Sequence, residues 1–333
     1  MKAVAIKKYG DESAIEIANL PKVKIKSNEI LVEVYSAGLN PIDVKIRKGE
    51  MKPLLNFKFP LVLGTDFSGK VVEVGAQIKK FKIGDEVYGS FSTSSMGAFA
   101  EFVAVSEADL SLKPKNLSFE EAASIPLVGL TVYQALKDFA KIKAGQKVFI
   151  QAGSGGIGTF AIQFAKAFGV EVATTTSEKN LEWVQKLGAD HVINYNKEKY
   201  NEVIKNYDVF LNSVDGEPIE RGLDILKPGG HLLSVVGPPD KKFAKQAKLN
   251  FFFQIIMGLI GWKINRLSKN KGVYYNFVFV TPSGHQLSEI RTIIEDGKIN
   301  PVIDKVFPID QAKEAMAYIA QGRTKGKVVL KIK

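Results

Sequence analysis

The sequence predicts a two-domain α/β protein, in which a compact, barrel-like β domain is joined to a doubly wound parallel sheet. Two patterns predict it. Residues 1 to about 112 carry short β-type runs broken by glycine and proline, whereas from about 119 to 282 apolar strands alternate with helices. The first pattern is typical of a small β domain, and the second of a parallel sheet covered by helices. A length of 333 residues is ample for two cores.

A glycine-rich turn lies between a predicted strand at 147–152 and a predicted helix at 159–168. Its residues, which match the pattern G-x-G-x-x-G, are Gly153, Ser154, Gly155, Gly156, Ile157 and Gly158. Gly153 allows the tight turn, Gly155 lets a pyrophosphate approach the backbone, and Gly158 lets the helix pack on the strand. The helix directs free N–H groups and its positive dipole end at the phosphates. Because the flanking strand and helix are both present, the motif predicts a dinucleotide site.

The predicted domains are 1–120, completed by 283–333, and 121–282. Ser118 begins a helix as a capping box, because Glu121 follows three residues later. The second domain is predicted to have six strands, the number in a complete dinucleotide-binding sheet, at 147–152, 171–176, 190–193, 207–212, 231–236 and 275–280. We expect the tail to pack on the first domain, with a helix near 285–296, a strand at 302–307, a helix capped by Asp310 and ended by Gly322, and a strand at 326–332.

The second strand of this sheet favours NADPH over NADH. An NAD site places an acidic residue at the tip of this strand to bind the ribose 2′-hydroxyl. Here Thr176 and Ser177 stand at the tip, and Lys179 lies just beyond. Hydroxyls and a cation suit a 2′-phosphate, which a carboxylate would repel. Glu178 keeps the NADH alternative open, because it reaches the ribose if the strand ends later.

The composition excludes several kinds of site. The chain has no cysteine, so it has no disulfide and no thiolate metal site, which fits a reducing compartment. Its three histidines are scattered without ligand spacing, and we expect no metal. No apolar run reaches the roughly 18 residues of a membrane span, and the N-terminus lacks a signal-peptide core. The lack of cysteine and of a signal-peptide core leads us to expect a cytoplasmic protein. The net charge is +11, but the lysines are spread along the chain, so we expect no binding of nucleic acid.

Several stretches carry a resemblance to a known family. They are Leu39 to Gly49, Gly64 to Gly69, Ala122 to Tyr133, Gly145 to Lys166 and Gly326 to Val329. Together they resemble the zinc-free quinone oxidoreductase (zeta-crystallin-like) group of the medium-chain dehydrogenases/reductases, and within it the enone oxidoreductase or alkenal reductase branch. Zinc-dependent relatives carry a cysteine where Asn40 stands and a histidine where Thr65 stands. Phe149 departs from the leucine usual in the group.

The resemblance implies a GroES-like catalytic domain, a Rossmann NADPH-binding domain and a homodimer. It implies that the turn from Gly153 to Gly158 holds the pyrophosphate. The other implied cofactor contacts are Thr176, Ser177, Lys179 and Tyr195 around the 2′-phosphate, Asn40 and Thr131 near the nicotinamide, and the backbone of Val236 and Gly237 beside it.

The predicted chemistry is metal-free hydride transfer. Without zinc no strong Lewis acid polarises a simple ketone, so the easier substrates are enones, alkenals and quinones, whose charge spreads onto a distant oxygen. Near Asn40, Lys45 is the candidate donor to that oxygen, and Asp43 could orient it; the alternative is a surface pair at a helix start. The alternatives in function are one-electron quinone reduction, or an NADPH-binding protein that binds RNA or regulates.

The most apolar stretch is 251–262, which lysines and arginines flank on both sides. It predicts an aromatic wall of the substrate pocket, core packing or a dimer contact. A membrane-surface contact is the less favoured alternative, since a cationic rim around an apolar face suits anionic lipid.

Overall fold

The computed structural model describes residues 1–52, 54–55, 57–216 and 218–333. The chain forms two compact units. Unit 1 comprises Met1–Leu130 and Thr281–Lys333, and unit 2 comprises Thr131–Val280. The first boundary follows Leu130, within the second helix after the capping box. Within the described residues, no helix combines the length and apolar character needed to cross a bilayer.

The elements up to the boundary are mostly strands. They are β1 (Lys2–Ile6), β2 (Ile15–Asn19), β3 (Glu29–Leu39), α1 (Pro41–Lys48), β4 (Leu61–Val62), β5 (Asp66–Val74), β6 (Glu86–Ser90), β7 (Phe102–Ser106), β8 (Leu110–Leu112), α2 (Phe119–Ala123) and α3 (Pro126–Tyr133). The predicted capping box begins α2, where Ser118 Oγ accepts from the N–H of Glu121 and the Glu121 carboxylate accepts from the N–H of Ser118.

Unit 2 alternates strands and helices, and a π-helical turn, Gln134–Phe139, precedes its first strand. The elements are β9 (Lys147–Ile150), α4 (Gly156–Ala167), β10 (Glu171–Thr176), α5 (Leu181–Lys186), β11 (His191–Asn194), α6 (Tyr200–Val203), β12 (Tyr207–Asn212), β13 (Leu226–Ser234), α7 (Lys241–Gln246), α8 (Phe251–Ile260), α9 (Trp262–Asn270) and β14 (Tyr274–Phe277). All six strands are parallel, in the order β11-β10-β9-β12-β13-β14. The order reverses beside β9, and ligands of doubly wound sheets bind at such a point, beyond the carboxyl ends of the strands.

The tail after unit 2 returns to unit 1. It contains α10 (Gly284–Glu295), β15 (Ile303–Pro308), α11 (Ala312–Ala320) and β16 (Lys327–Lys331). The main sheet of unit 1 runs β15-β16-β3-β5-β6-β8, with β7 also paired to β3, and a smaller sheet runs β2-β1-β4. The antiparallel pairing of β16 with β3 sets Val328 opposite Leu39, so Lys327 reaches the end of β3 where Asn40 begins α1.

Two sequence-based expectations about helices are wrong in detail. Asp310 does not cap α11, because its carboxylate pairs with Lys2 Nζ at 2.6 Å and the helix begins two residues later. The helix after the glycine-rich turn begins at Gly156 rather than Thr159, because Gly155 already serves as its N-cap.

The strand predicted at 231–236 begins earlier, at Leu226, and ends at Ser234.

The apolar stretch 251–262 is not core. It forms α8 and the start of α9, and of its large side chains only Met257 is buried in α8. Phe251 and Leu259 are 74% and 72% exposed. The expectation of core packing is therefore wrong for most of this stretch.

Candidate active site

The glycine-rich turn in unit 2 leads from β9 directly into α4. Gly155 is the N-cap of this helix, and the N–H of Thr159 is the first to bond back, to the carbonyl of Gly155. The first turn carries no acidic side chain. The N–H groups before Thr159 and the positive helix end are thus directed at an anion placed on the turn.

The three motif glycines have different steric surroundings. A Cβ on Gly158 would lie 2.2 Å from the carbonyl oxygen of Ala152, and one on Gly153 would lie 2.4 Å from Thr174 Oγ1. A Cβ on Gly155 would meet its nearest neighbour only at 3.4 Å. Two of the glycines are therefore required by the packing of the turn, whereas at Gly155 the space beside the backbone is open for a ligand.

The tips of β10 and β11 lie side by side, with Thr176 paired to Asn194. Thr176 is buried, and its hydroxyl has no hydrogen-bond partner among the described residues. Ser177 follows, with its hydroxyl accepting from Asn180 Nδ2 at 3.2 Å. Tyr195, at the tip of β11, is 58% exposed. The predicted 2′-phosphate residues thus come together at one edge of unit 2.

Two charged side chains at this edge have different environments. The Glu178 carboxylate pairs with Lys197 Nζ at 2.6 Å. Lys179 is exposed and forms no ion pair with any residue that the structure describes. The net local charge beside Ser177 is therefore positive, which suits a phosphate better than a bare ribose.

A chain of buried polar groups joins the carboxyl ends of β9, β12 and β13. Asn212 Nδ2 donates to Gln151 Oε1, and Ser234 Oγ donates to Asn212 Oδ1. Ser234 Oγ in turn accepts from the N–H groups of Val236 and Gly237, at 3.3 and 2.7 Å. These two N–H groups are thus hydrogen-bonded within unit 2. Of the backbone groups of Val236 and Gly237, the carbonyls are therefore the ones available to accept from a ligand. Thr131, also in unit 2, is buried.

The predicted residue Asn40 lies in a polar cluster of unit 1, together with Thr65, Asp66 and Lys327. Asn40 Nδ2 donates to Thr65 Oγ1 at 3.2 Å and to Asp66 Oδ2 at 3.0 Å. Lys327 Nζ donates to Asn40 Oδ1 and lies 3.5 Å from Asp66 Oδ2. Asn40 and Thr65 are 2% and 0% exposed. The hydrogen bonds of the Asn40 side chain are therefore made within the cluster.

The charges in this cluster are fully buried. Burial raises the pKa of Asp66 and lowers the pKa of Lys327, and the attraction between the two groups opposes both shifts. Asp66 Oδ1 also accepts from the N–H of Leu127 at 2.9 Å. Each charge thus depends on the other, since neither has water to solvate it.

Asp43 takes part in the capping box of α1, and its role in orienting Lys45 stays a prediction. Its Oδ2 accepts from the N–H of Asn40 at 2.8 Å, and its Oδ1 has no partner among the described residues. Burial raises the pKa of Asp43 to about 8, against the lowering effect of the Asn40 N–H, and repulsion from Asp66 adds to the rise. Asp43 is then largely neutral at pH 7, which leaves Asp66 and Lys327 as a balanced pair. Lys45 is half-buried on the same helix.

The sequence does not single out Lys327 as a site residue, although Gly326 to Val329 carries part of the family resemblance. In the strand pattern Gly326-Lys327-Val328-Val329, the lysine side chain is either exposed to solvent or buried beside a partner. Only the register of β16 on β3 shows which applies. Within the described parts of the chain, no three His, Cys, Asp or Glu side chains are grouped to hold a metal ion.

Comparison with known proteins gives two family matches. Residues 26–115 match the alcohol dehydrogenase GroES-like domain, and residues 187–330 match a family described as zinc-binding dehydrogenase. This chain nevertheless lacks the cysteines of a structural-zinc lobe.

Relatives match along the whole chain. The mitochondrial NAD(P)H oxidoreductase RTN4IP1 of Danio rerio is 36% identical over 356 residues, covering 100% of this chain and 91% of the relative. The chloroplastic NADPH-dependent alkenal/one oxidoreductase of Arabidopsis thaliana is 32% identical, covering 99% and 79%. The quinone oxidoreductase structure from Coxiella burnetii superposes with a TM-score of 0.86 at 30% identity, covering 100% and 99%.

These relatives correct one expectation. Proteins named mitochondrial, at 32–36% identity, match the whole chain or nearly all of it, which contradicts the expected cytoplasmic location. The expectation rested on the lack of cysteine and of a signal-peptide core. Both properties are equally compatible with another reducing compartment, so composition could not separate them.

Proposed function

The chain belongs to the zinc-free, quinone oxidoreductase-type group of the medium-chain dehydrogenases/reductases and is an NAD(P)H oxidoreductase, and we propose that it uses NADPH to reduce the C=C bond of α,β-unsaturated carbonyls or to reduce quinones. NADPH, when bound, supplies the hydride. The chain's own residues bind the cofactor, orient the substrate and stabilise the charge that develops on its oxygen.

One observation carries the proposed substrate class. At the positions where zinc-dependent relatives hold their metal, Asn40 and Thr65 are hydrogen-bonded to each other, and the ammonium of Lys327 already neutralises Asp66. An amide, a hydroxyl and a neutralised carboxylate are a poor ligand set for zinc. The substrates suited to such a site are those that delocalise their own developing charge, which are enones, alkenals and quinones.

The proposed function is tested by following NADPH oxidation with a short alkenal, an aliphatic enone, a naphthoquinone and a saturated aldehyde, with identification of each product. We expect the alkenal and the enone to be reduced to the saturated carbonyl, and the saturated aldehyde to remain unreacted. Turnover of the quinone alone, with a semiquinone signal, would favour the one-electron alternative. Binding of NADPH without turnover of any compound would refute the proposal.

Lys45 is the proposed donor to the substrate oxygen, and its replacement should slow turnover. We expect Lys45→Met to lower kcat for the enone by about a hundredfold to a thousandfold, because one hydrogen bond to a developing oxyanion is lost. The matched control is Lys48→Met, an exposed lysine on the same helix. Steady-state kinetics of both variants give the comparison. Equal effects at the two positions would mean that Lys45 contributes only to surface charge.

We propose NADPH as the preferred cofactor, on the strength of the positive edge at Ser177 and Lys179. We expect Lys179→Met to raise KM for NADPH by roughly tenfold and to leave KM for NADH unchanged, because only NADPH carries the 2′-phosphate. The control is Lys186→Met, at the far end of α5. A parallel rise in KM for both cofactors would show that Lys179 does not contact the 2′-phosphate.

The homodimer stays a prediction. β14 lies at an edge of the unit 2 sheet, with Tyr274 58% exposed, and an unpaired edge strand offers backbone groups to a second copy.

A further inference from the structure

Helix α8 exposes an apolar face in unit 2. Phe251, Phe252, Ile255 and Leu259 are between 44% and 74% exposed. At 3.6 residues per turn, these four positions lie within about 100° of one another on the helix. Met257 is buried on the other side. The face is therefore a continuous apolar stripe, which the fold leaves uncovered.

Trp262 extends the stripe at the start of α9. It is 58% exposed, and the Arg266 guanidinium lies 5.2 Å from the centre of its ring. An exposed tryptophan beside an arginine is typical of residues at the boundary between water and lipid, where the ring meets acyl chains and the cation meets headgroups.

Cationic residues flank the stripe on both sides in the sequence. Residues 241–272 contain eight lysines and arginines and no acidic residue. Lys263 pairs with Glu220, and Lys271 pairs with Asp224. The other six form no ion pair with the described residues, and they are Lys241, Lys242, Lys245, Lys248, Arg266 and Lys269.

One cation of α7, Lys241, lies directly beside the stripe. A Cβ built on Gly258 would lie 3.7 Å from Lys241 Cβ, and Gly258 is adjacent to the stripe on the helix surface. We call the stripe, together with the six unpaired cations of residues 241–272, the apolar–basic surface.

We propose that the apolar–basic surface binds a membrane surface that contains anionic phospholipid. The charges argue against a second copy of this face as the occupant, because a two-fold contact would bring the same unpaired lysines against each other. An anionic bilayer satisfies both parts of the surface, since acyl chains receive the aromatic and aliphatic side chains and phosphate groups receive the cations. In this arrangement α8 lies in the plane of the membrane surface, and the protein is concentrated where hydrophobic substrates partition.

The test measures co-sedimentation with unilamellar vesicles made of roughly one part phosphatidylglycerol and two parts phosphatidylcholine, and with vesicles of phosphatidylcholine alone. The chain has two tryptophans, so Trp183→Phe leaves Trp262 as a local fluorescent probe. We expect binding to the anionic vesicles only, a blue shift of Trp262 emission on binding, and weaker binding as salt is added.

Variants separate the two parts of the surface. We expect Phe252→Ser with Leu259→Ser, and separately Lys242→Glu with Lys245→Glu, each to lower the partition coefficient by roughly tenfold or more. The controls are Ile83→Ser and Lys24→Glu, an exposed apolar residue and an exposed lysine of unit 1, which should bind as the native chain does. Circular dichroism melting confirms that each variant is folded.

Three outcomes would overturn the proposal. The first is the absence of binding to anionic vesicles. The second is binding that the Phe252 and Leu259 changes leave intact. The third is a concentration-dependent dimer that the same changes abolish, which would assign the stripe to a second copy. Because the vesicle assay does not involve turnover, its failure is independent of the proposed reductase activity.

Discussion

Gly155→Ala is expected to fold nearly as stably as the native chain and to lose most of its affinity for NADPH. In the folded protein the new Cβ meets its nearest neighbour at 3.4 Å, and the backbone φ of −85° suits alanine. The loss at the N-cap is no more than about 1 kcal/mol. With the pyrophosphate in place, however, the methyl group takes the space that the phosphate oxygens require. We therefore expect the Kd for NADPH to rise by about a hundredfold, which corresponds to about 2.7 kcal/mol.

Gly158→Ala is the matched control, because we expect it to lower the stability of the fold, whereas Gly155→Ala lowers the affinity for NADPH. Its Cβ would lie 2.2 Å from a backbone carbonyl oxygen and 2.7 Å from Gly153 Cα, and neither atom can move without distorting the turn. We expect this variant to lose about 3 kcal/mol of unfolding free energy. Denaturant unfolding and NADPH titration of both variants separate the two roles. If Gly155→Ala binds NADPH with native affinity, the pyrophosphate does not lie on this turn.

Lys327→Met is expected to destabilise the protein by about 3–5 kcal/mol, because it leaves Asp66 as a buried charge without its counterion. The carboxylate is 0% exposed and cannot recover water. Asp66→Asn combined with Lys327→Met should restore part of the loss, since both charges are then removed together. The free energy of unfolding, measured for the two single variants and the double variant, gives the coupling between the two side chains.

The loss in Lys327→Met should also depend on pH in a defined direction. Burial already raises the pKa of Asp66, and removal of Lys327 takes away the largest opposing effect. A raised pKa stabilises the folded state below it and costs stability as pH rises through it, so the deficit should shrink toward low pH by up to about 1.4 kcal/mol per unit. A deficit that is the same at pH 5 and pH 8 would mean that Lys327 contributes through packing and not through its charge.

The candidate cofactor-binding residues of unit 2 could be proposed from the sequence because their signals are local. The glycine-rich turn and the tip of β10 lie within about 25 residues of each other in a pattern that has its own physical logic. Whether Glu178 is available to bind a ribose hydroxyl could not be judged in the same way. The lysine that pairs with its carboxylate, Lys197, lies on the segment after the next strand.

The polar cluster of unit 1 depends on contacts between distant parts of the chain. Lys327 meets Asn40 only because β16 pairs with β3, and no periodicity near either residue predicts that register. The expectation that the stretch 251–262 packs in the core was wrong for another reason. When nearly every position is apolar, the helical period cannot be seen in the sequence, and an exposed stripe has the same pattern as a buried helix.

Unit 1 is built from two segments that unit 2 separates in the chain. On a ribosome, β3 therefore emerges long before β16, its neighbour in the sheet, and Asp66 emerges long before its counterion. Unit 2 is continuous and has all its strands as soon as residue 280 has left the exit tunnel. Unit 2 is therefore complete before unit 1 and free to fold first, while β3 keeps an unpaired strand edge, a site for aggregation, until β16 has been synthesised.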